Sequence, residues 1–315
     1  MLLLRYIVVR FIWMFITLYL LMSLVFFATR IAHINIWFVH LEFPQTFYFV
    51  RDEYLEFIRN VFTRWDWGTY GSSNADVWKT LVEAAPITIQ LNLIAFIFYF
   101  SFGIFMGFAT ALKAGTLFDK IFHAIFIVVG SIPSFIWIFL LIIFFGYTVP
   151  ILPPQPPSIQ TPLYWRLAGW VIPVLALSLA PISKFGMMIR NELVESMHAE
   201  YYLLLRTKGL TLRQAMRKHM LRDSIIPIMP EMAPTLVFVI IGSFFVEMIY
   251  NMRGAATLFF QSMYRPGVGS YYIAIHTPMT VLISVFYAAI TLFFIFVMDI
   301  MYAVVDPRIR VRSKK

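Results

Sequence analysis

The sequence predicts an all-α chain that crosses a membrane about six times, and three observations carry that prediction. Of the 315 residues, 61% are hydrophobic and only 13% are charged, too little polar surface for a soluble domain of this length. The apolar residues come in uncharged runs of about 20, the length at which a helix rising 1.5 Å per residue spans the bilayer core. Lys and Arg are also distributed unevenly between the loops. The net charge of +9 belongs with that last pattern, as cationic loops held on the cytoplasmic side, and no nucleic-acid partner is expected. The absence of cysteine excludes disulfides, thiolate nucleophiles and Cys-based metal sites. No metal site is expected at all.

The first span is predicted from about Ile7 to Ala28. Arg5 and Arg10 give it a superficial likeness to a signal peptide, but the run is too long for that and no small-x-small cleavage site follows. A long connection runs from Arg30 to Glu83. Within it Tyr54, Leu55, Phe57, Ile58, Val61 and Phe62 are interleaved with Asp52, Glu53, Glu56 and Arg59, the spacing of a short amphipathic helix on the membrane surface. Trp65, Trp67 and Trp78 fit an interfacial belt, and Trp65 to Ser73 reads as a turn-rich loop. The second span, Ile87 to Leu112, carries Gly103 and Gly107 with Ala111 a turn later. Small residues at that spacing let two helices approach closely.

The third span is predicted as one helix from Ile121 to Tyr147, kinked at Pro133. Ser131 and Ser134 flank the kink. Two readings stand there: a stretch of translocation path, or a packing bend whose freed carbonyl is met by a hydroxyl. His123 in the same span is expected to be packed or hydrogen-bonded rather than a ligand. Val149 to Trp165, with Pro150, Pro153, Pro154, Pro156, Pro157 and Pro162, reads as an extended loop. The fourth span, Leu167 to Ser183, is expected to be broken by Pro173 and Pro181. The fifth runs from Met232 to Tyr250 and the sixth from Met279 to Val304. Glu247 and Asp299 sit near span ends. Ionisable groups at membrane depth are functional by default, which makes Glu247 a candidate for the transport path, although near a helix end either residue can simply reach headgroups or water.

The chain is taken as one domain, residues 1–315, with the polar stretch 184–231 as a cytoplasmic loop. With the N-terminus inside, inside segments outnumber outside ones in Lys and Arg by about two to one. That places the chain in a cell membrane as a multi-pass protein with both termini cytoplasmic. The loop itself reads as a helix through Arg190, Glu200, Tyr201, Leu205 and Arg206, a break at Gly209, a second helix from Leu210 through His219 and Arg222, and a return to the membrane near Pro227 and Pro230. Gly209 accommodates a positive φ without steric penalty and turns the chain between the helices. A two-helix knob of this kind suits docking.

These residues carry a resemblance. Arg190, Glu200-Tyr201, Arg206-Thr207-Lys208-Gly209-Leu210, His219, Arg222-Asp223 and Pro227 resemble the cytoplasmic loop of ABC importer permeases of the oligopeptide and dipeptide (peptide/nickel) family, first-permease type. Gly68 to Ser72 with Val77 and Pro86-x-Thr88, Ser131-Ile132-Pro133-Ser134-Phe135, and the tail Asp306-Pro307-Arg308-Ile309-Arg310 match further family motifs in order, over roughly residues 50 to 312. Departures occur at Leu203-Leu204-Leu205, where the family keeps an alanine, at Ala32-His33-Ile34-Asn35, where it has Pro-Gly-Asp-Pro, and at Arg253-Gly254-Ala255-Ala256, after Glu247-x-x-Tyr250, where it has Pro-Gly-(Leu/Met)-Gly.

The resemblance implies a non-enzymatic membrane subunit forming half of a peptide pathway in a bacterial plasma or inner membrane, in contact with lipid. It implies as partners a homologous second permease, two ABC ATPase subunits binding ATP and Mg, and an extracytoplasmic peptide-binding protein. The expected coupling residues are Glu200, Tyr201, Leu205, Arg206, Lys208, Gly209 and Leu210, and the expected path residues Ser131, Pro133, Ser134 and Glu247. Nickel or a glycoside is the alternative cargo. This chain holds no Walker A phosphate loop, so ATP must be hydrolysed elsewhere. The competing classes are an ion-coupled secondary transporter, which should carry mid-membrane acidic or histidine relays, and a membrane enzyme, for which no nucleophile or metal motif is present.

Overall fold

The computed structural model describes the backbone of residues 2–37, 43–70, 74–263, 265–267, 270–272 and 275–305, and the side chains of 7–32, 48–70, 74–263 and 275–301. Among these residues the chain is almost wholly helical. Helices α1 (Leu2–Trp37), α2 (Phe43–Arg64) and α3 (Val77–Leu112) come first. Two short strands, β1 (Thr69–Tyr70) and β2 (Ala75–Asp76), pair antiparallel ahead of α3. Then come α4 (Leu117–Gly130), α5 (Ser134–Leu141, continued as a π-helical turn to Thr148), α6 (Leu163–Ala168) and α7 (Val171–His198). Short helices α8 (Glu200–Thr207), α9 (Leu212–Ala215) and α10 (Leu221–Ile225) lead to α11 (Met229–Ile249). The chain closes with α12 (Ala255–Met263), the paired strands β3 (Arg265–Gly267) and β4 (Ser270–Tyr272), and α13 (Thr277–Val305). Five helical stretches among the described residues are long and apolar enough to cross a membrane, and the pair α4–α5 makes a sixth if its two arms count as one span.

Two compact units emerge, Met1–Ile89 with Asn251–Phe293, and Gln90–Tyr250 with Phe294–Lys315. The core of the first is built by Met22 and Phe26 of α1, Val50, Tyr54 and Val61 of α2, Trp67, and Met279 to Ile283 of α13. Phe26 and Phe57 stack at 4.9 Å, and the Tyr54 hydroxyl lies 2.5 Å from Ser23 Oγ. Thus α2 is amphipathic as expected, but its inner stripe packs on α1. Tyr54 and Val61 are buried, while Leu55 and Phe62 are exposed. Of the expected tryptophan belt, Trp65 and Trp78 are exposed but Trp67 is core. Just after it, Gly68 N donates to Asp66 Oδ1 at 2.8 Å.

The second unit is organised around α7, which packs against α4, α5 and α11. Four expectations need correction here. The third span is not one kinked helix: α4 and α5 meet at 103°. Gly130 ends one helix and Pro133, at φ −62° and ψ 152°, caps the next. Proline disfavours the helical region for Ile132, so the ladder is broken rather than bent. The carbonyl that Pro133 cannot bond, Val129 O, accepts from Trp137 Nε1 at 3.2 Å, and Ser131 Oγ donates to Ile127 O at 2.6 Å. The fourth span is not broken by its prolines. Pro173 falls in the first turn of α7, where a missing N–H leaves no bond unmade. Pro181 lies inside α7, and the burial of Leu177, Ile182 and Phe185 around it outweighs the roughly 3 kcal/mol of an interior proline. The helix continues to His198, so Lys184 belongs to α7 rather than to the loop. His123 is exposed, not packed.

The glycine pair of α3 does set a close helix contact. A Cβ added at Gly107 would lie 2.7 Å from Gly186 O and from Ile189 Cβ of α7, and one at Gly103 3.0 Å from Phe185 Cβ. Gly107→Val is therefore expected to force α3 off α7 and destabilise the chain by about 1–3 kcal/mol. Thermal melting of the purified protein measures it, and an unshifted transition would contradict this packing.

Candidate functional site: a capped knob and a cleft at a broken helix

The knob is built by local backbone chemistry. Ala199, at φ −75° and ψ 146°, breaks away from α7 and starts α8. At the far end, Leu210 N donates to Leu205 O at 3.2 Å and Gly209 N to Arg206 O at 2.9 Å. That pair of bonds is a Schellman cap with Gly209 in the left-handed position, at φ +78°. Nothing lies within 4 Å of where a Cβ would sit on Gly209. Backbone conformation alone therefore demands the glycine. Immediately afterwards Thr211 and Gln214 form a reciprocal capping box that opens α9, with Thr211 N donating to Gln214 Oε1 at 3.0 Å. Two successive caps thus fix the angle between α8 and α9.

The side chains of the knob divide into two sets. Leu205 is buried, and Tyr201 is half-buried with its hydroxyl enclosed. Glu200, Arg206, Lys208 and Gly209 are exposed, and Leu210 is half-buried. Leu203 and Leu204, 66% and 63% exposed, form an apolar tip absent from the set expected from sequence. The helical period carried the signal: Tyr201 and Leu205, four apart, share the inner face, which leaves Leu203 and Leu204 outside. Arg213, Arg217, Lys218 and Arg222 are all exposed, so the stretch that follows is strongly cationic at its surface.

A bidentate ion pair holds the root of the knob. Arg190 Nη2 lies 2.7 Å from Asp119 Oδ2 and Arg190 Nε 3.0 Å from Asp119 Oδ1, and Gly115 N also donates to Asp119 Oδ2 at 2.9 Å. The Asp119 side chain is 5% exposed and that of Arg190 23%. This pair ties the first turn of α4 to the half of α7 that leads to the knob. Asp119 carried no motif that singled it out, because its partner is 71 residues away.

The break between α4 and α5 forms one wall of a cleft of about 550 Å³ between α7 and α11. Ser131, Pro133 and Ser134 line it together, with Lys184 and Thr235 opposite. Ser134 Oγ presses directly against Gly242, which leaves no room for a side chain there. Glu247 is not part of this lining; it is fully buried in α11. Elsewhere in this unit Asn92 Nδ2 donates to Ser243 Oγ at 3.0 Å, and the Tyr250 hydroxyl donates to Pro153 O at 2.6 Å. No group of three or more His, Cys, Asp or Glu arranged to hold a metal occurs among the described residues. The tail motif from Asp306 to Arg310, and Gly71 and Ser72, lie outside the described residues.

A set of apolar helices interrupted by a capped, cationic, helix-turn-helix knob defines a polytopic membrane transport subunit. The family described as "Binding-protein-dependent transport system inner membrane component" matches residues 100–311, and the chain belongs to that family. Among curated proteins it is 30% identical to the dipeptide transport system permease protein DppB of Lactococcus lactis subsp. cremoris, over 82% of this chain and 80% of the relative. It is 25% identical to the oligopeptide transport system permease protein OppB of Haemophilus influenzae over the same shares, and 24% identical to DppB of Bacillus subtilis over 88% and 83%. The chain is accordingly a multi-pass inner-membrane permease component of a binding-protein-dependent system.

Proposed function

We propose that this chain, acting as one permease domain, forms half of the transmembrane pathway of an ATP-driven importer of peptides. A homologous second permease supplies the other half. Two ABC ATPase subunits bind ATP and Mg below the membrane, and an extracytoplasmic binding protein delivers cargo from above. The chain itself performs no catalysis, and both termini lie in the cytoplasm. The observation that carries this reading is the doubly capped turn at Gly209. It presents Leu203, Leu204, Arg206 and Lys208 outward on a rigid tip, as a docking element must. Tyr201, Leu205 and Leu210 back that tip from within, and Glu200 sits in the first turn of α8. Peptide cargo is supported by the names of the curated relatives. Ser131, Pro133 and Ser134 contribute the path at the broken helix. Glu247 acts from within the wall of α11, with alternating access as the mechanism.

The test is reconstitution in proteoliposomes with the ATPase subunits, the second permease and the binding protein. Labelled dipeptide should accumulate only with ATP and Mg, and the isolated chain should turn over no ATP. ATP-driven uptake of nickel or a glycoside, with none of peptide, would overturn the cargo assignment. ATP turnover by the chain alone, above a mock preparation, would overturn its place as a pathway subunit without catalysis.

A further inference from the structure

At its loop-side end the cleft carries an ion pair. Lys184 Nζ lies 2.8 Å from Glu231 Oε2 and 3.2 Å from Thr235 Oγ1. Lys184 stands a turn beyond Ala180 on α7, and Glu231 stands in the first turn of α11, so the pair bridges both helices where they lead to the knob. Lys184 is the single charged side chain among the described residues lining the cleft. The Lys184 and Glu231 side chains are 40% and 44% exposed. A pair this accessible contributes little to holding a fold together, and its members are free to exchange partners.

A peptide in transit carries a carboxylate at one end and an ammonium at the other. An apolar wall of Leu177, Phe238 and Phe245 matches neither. Lys184 does match the carboxylate: it is a flexible point charge with three donors. A cargo carboxylate that displaces Glu231 keeps the Lys184 ammonium paired, the freed Glu231 carboxylate turns to water from a side chain already 44% exposed, and Thr235 Oγ1 keeps its place as the second acceptor. We propose that Lys184 is a specificity-determining residue of the cleft, receiving the terminal carboxylate of a passing peptide in exchange for Glu231. This inference rests on the peptide-importer reading above.

The experiment compares ATP-driven uptake of a dipeptide with a free C-terminus and its C-amidated counterpart, by the complete reconstituted complex. Wild type and Lys184→Gln share one binding protein, so that protein's own preference cancels between them. Lys184→Gln is expected to lower kcat/KM for the free-carboxylate peptide about tenfold, while the amidated peptide changes less than about twofold. Glu231→Gln should retain the carboxylate preference, because it leaves Lys184 charged. Equal losses for both peptides in both variants, restored by reversing the pair with Lys184→Glu and Glu231→Lys, would assign the pair a purely structural role and overturn the proposal. Failure of the wild-type complex to take up either peptide would instead remove the peptide-importer reading.

Discussion

Replacing Gly209 by Val is expected to cut uptake by at least about tenfold while leaving the chain inserted in the membrane. The residue sits at φ +78° with open space around its Cα, so the substitution introduces no clash. Its penalty comes from the backbone: a β-branched residue in the left-handed region carries about 1–3 kcal/mol of strain. That strain is relieved by surrendering the Schellman bonds from Gly209 and Leu210 to Arg206 and Leu205, which re-aims α9 relative to α8. A re-aimed knob no longer fits a rigid partner surface, so ATP hydrolysis is uncoupled from uptake or the ATPase subunit dissociates. Gly209→Asn is the control, because asparagine tolerates the left-handed region and should retain most of the uptake. A knob that merely lies on anionic lipid through its summed charge would be indifferent to both substitutions. Normal uptake and normal ATPase retention in Gly209→Val would therefore rule out docking through this turn.

The second large effect is expected at Asp119. Asp119→Ala leaves the Arg190 guanidinium without its carboxylate in a site where the aspartate is 5% exposed and the arginine 23%. Removing one member of a largely buried ion pair is costly because the other stays desolvated and uncompensated, here by about 3 kcal/mol. The loss also frees Gly115 N and unties α4 from α7. Arg190→Lys should be intermediate, since an ammonium keeps the charge but cannot reproduce the two parallel bonds to Asp119. The measurement is the thermal transition and membrane yield of the purified variants. A transition for Asp119→Ala indistinguishable from wild type would show that the pair contributes nothing to stability.

The parts of this protein that were legible in the sequence are those whose physical cause is local along the chain. The bilayer requires a long uncharged run, so α1, α3, α11 and α13 were readable directly from composition; α1 at both ends and the start of α3 extend well beyond the expected bounds, while the other boundaries fall within three residues of them. The turn at Gly209 was readable because a Schellman cap needs a residue tolerant of positive φ at one defined position. Gly103 and Gly107 announced a helix contact by their spacing, but not that the contact is with Gly186 and Ile189. What stayed hidden depends on what lies across from a residue. Pro133 is compatible with a kink or a break, and the 103° turn follows from where α7 and α11 receive the two arms. Pro181 is tolerated because α7 is buried on several sides, which no local pattern records. Leu203, Leu204 and Leu205 are identical in type and adjacent in sequence; the four-residue spacing puts Leu205 on one face of α8 with Tyr201, but only packing decides that this face is the buried one. The Asp119–Arg190 clamp joins residues 71 positions apart, and Lys184 meets Glu231 across 47. Periodicity and capping are set within a few residues by backbone geometry, and so they can be read along the chain. Ion pairing and burial are set by distance in space, which only the packed helices decided.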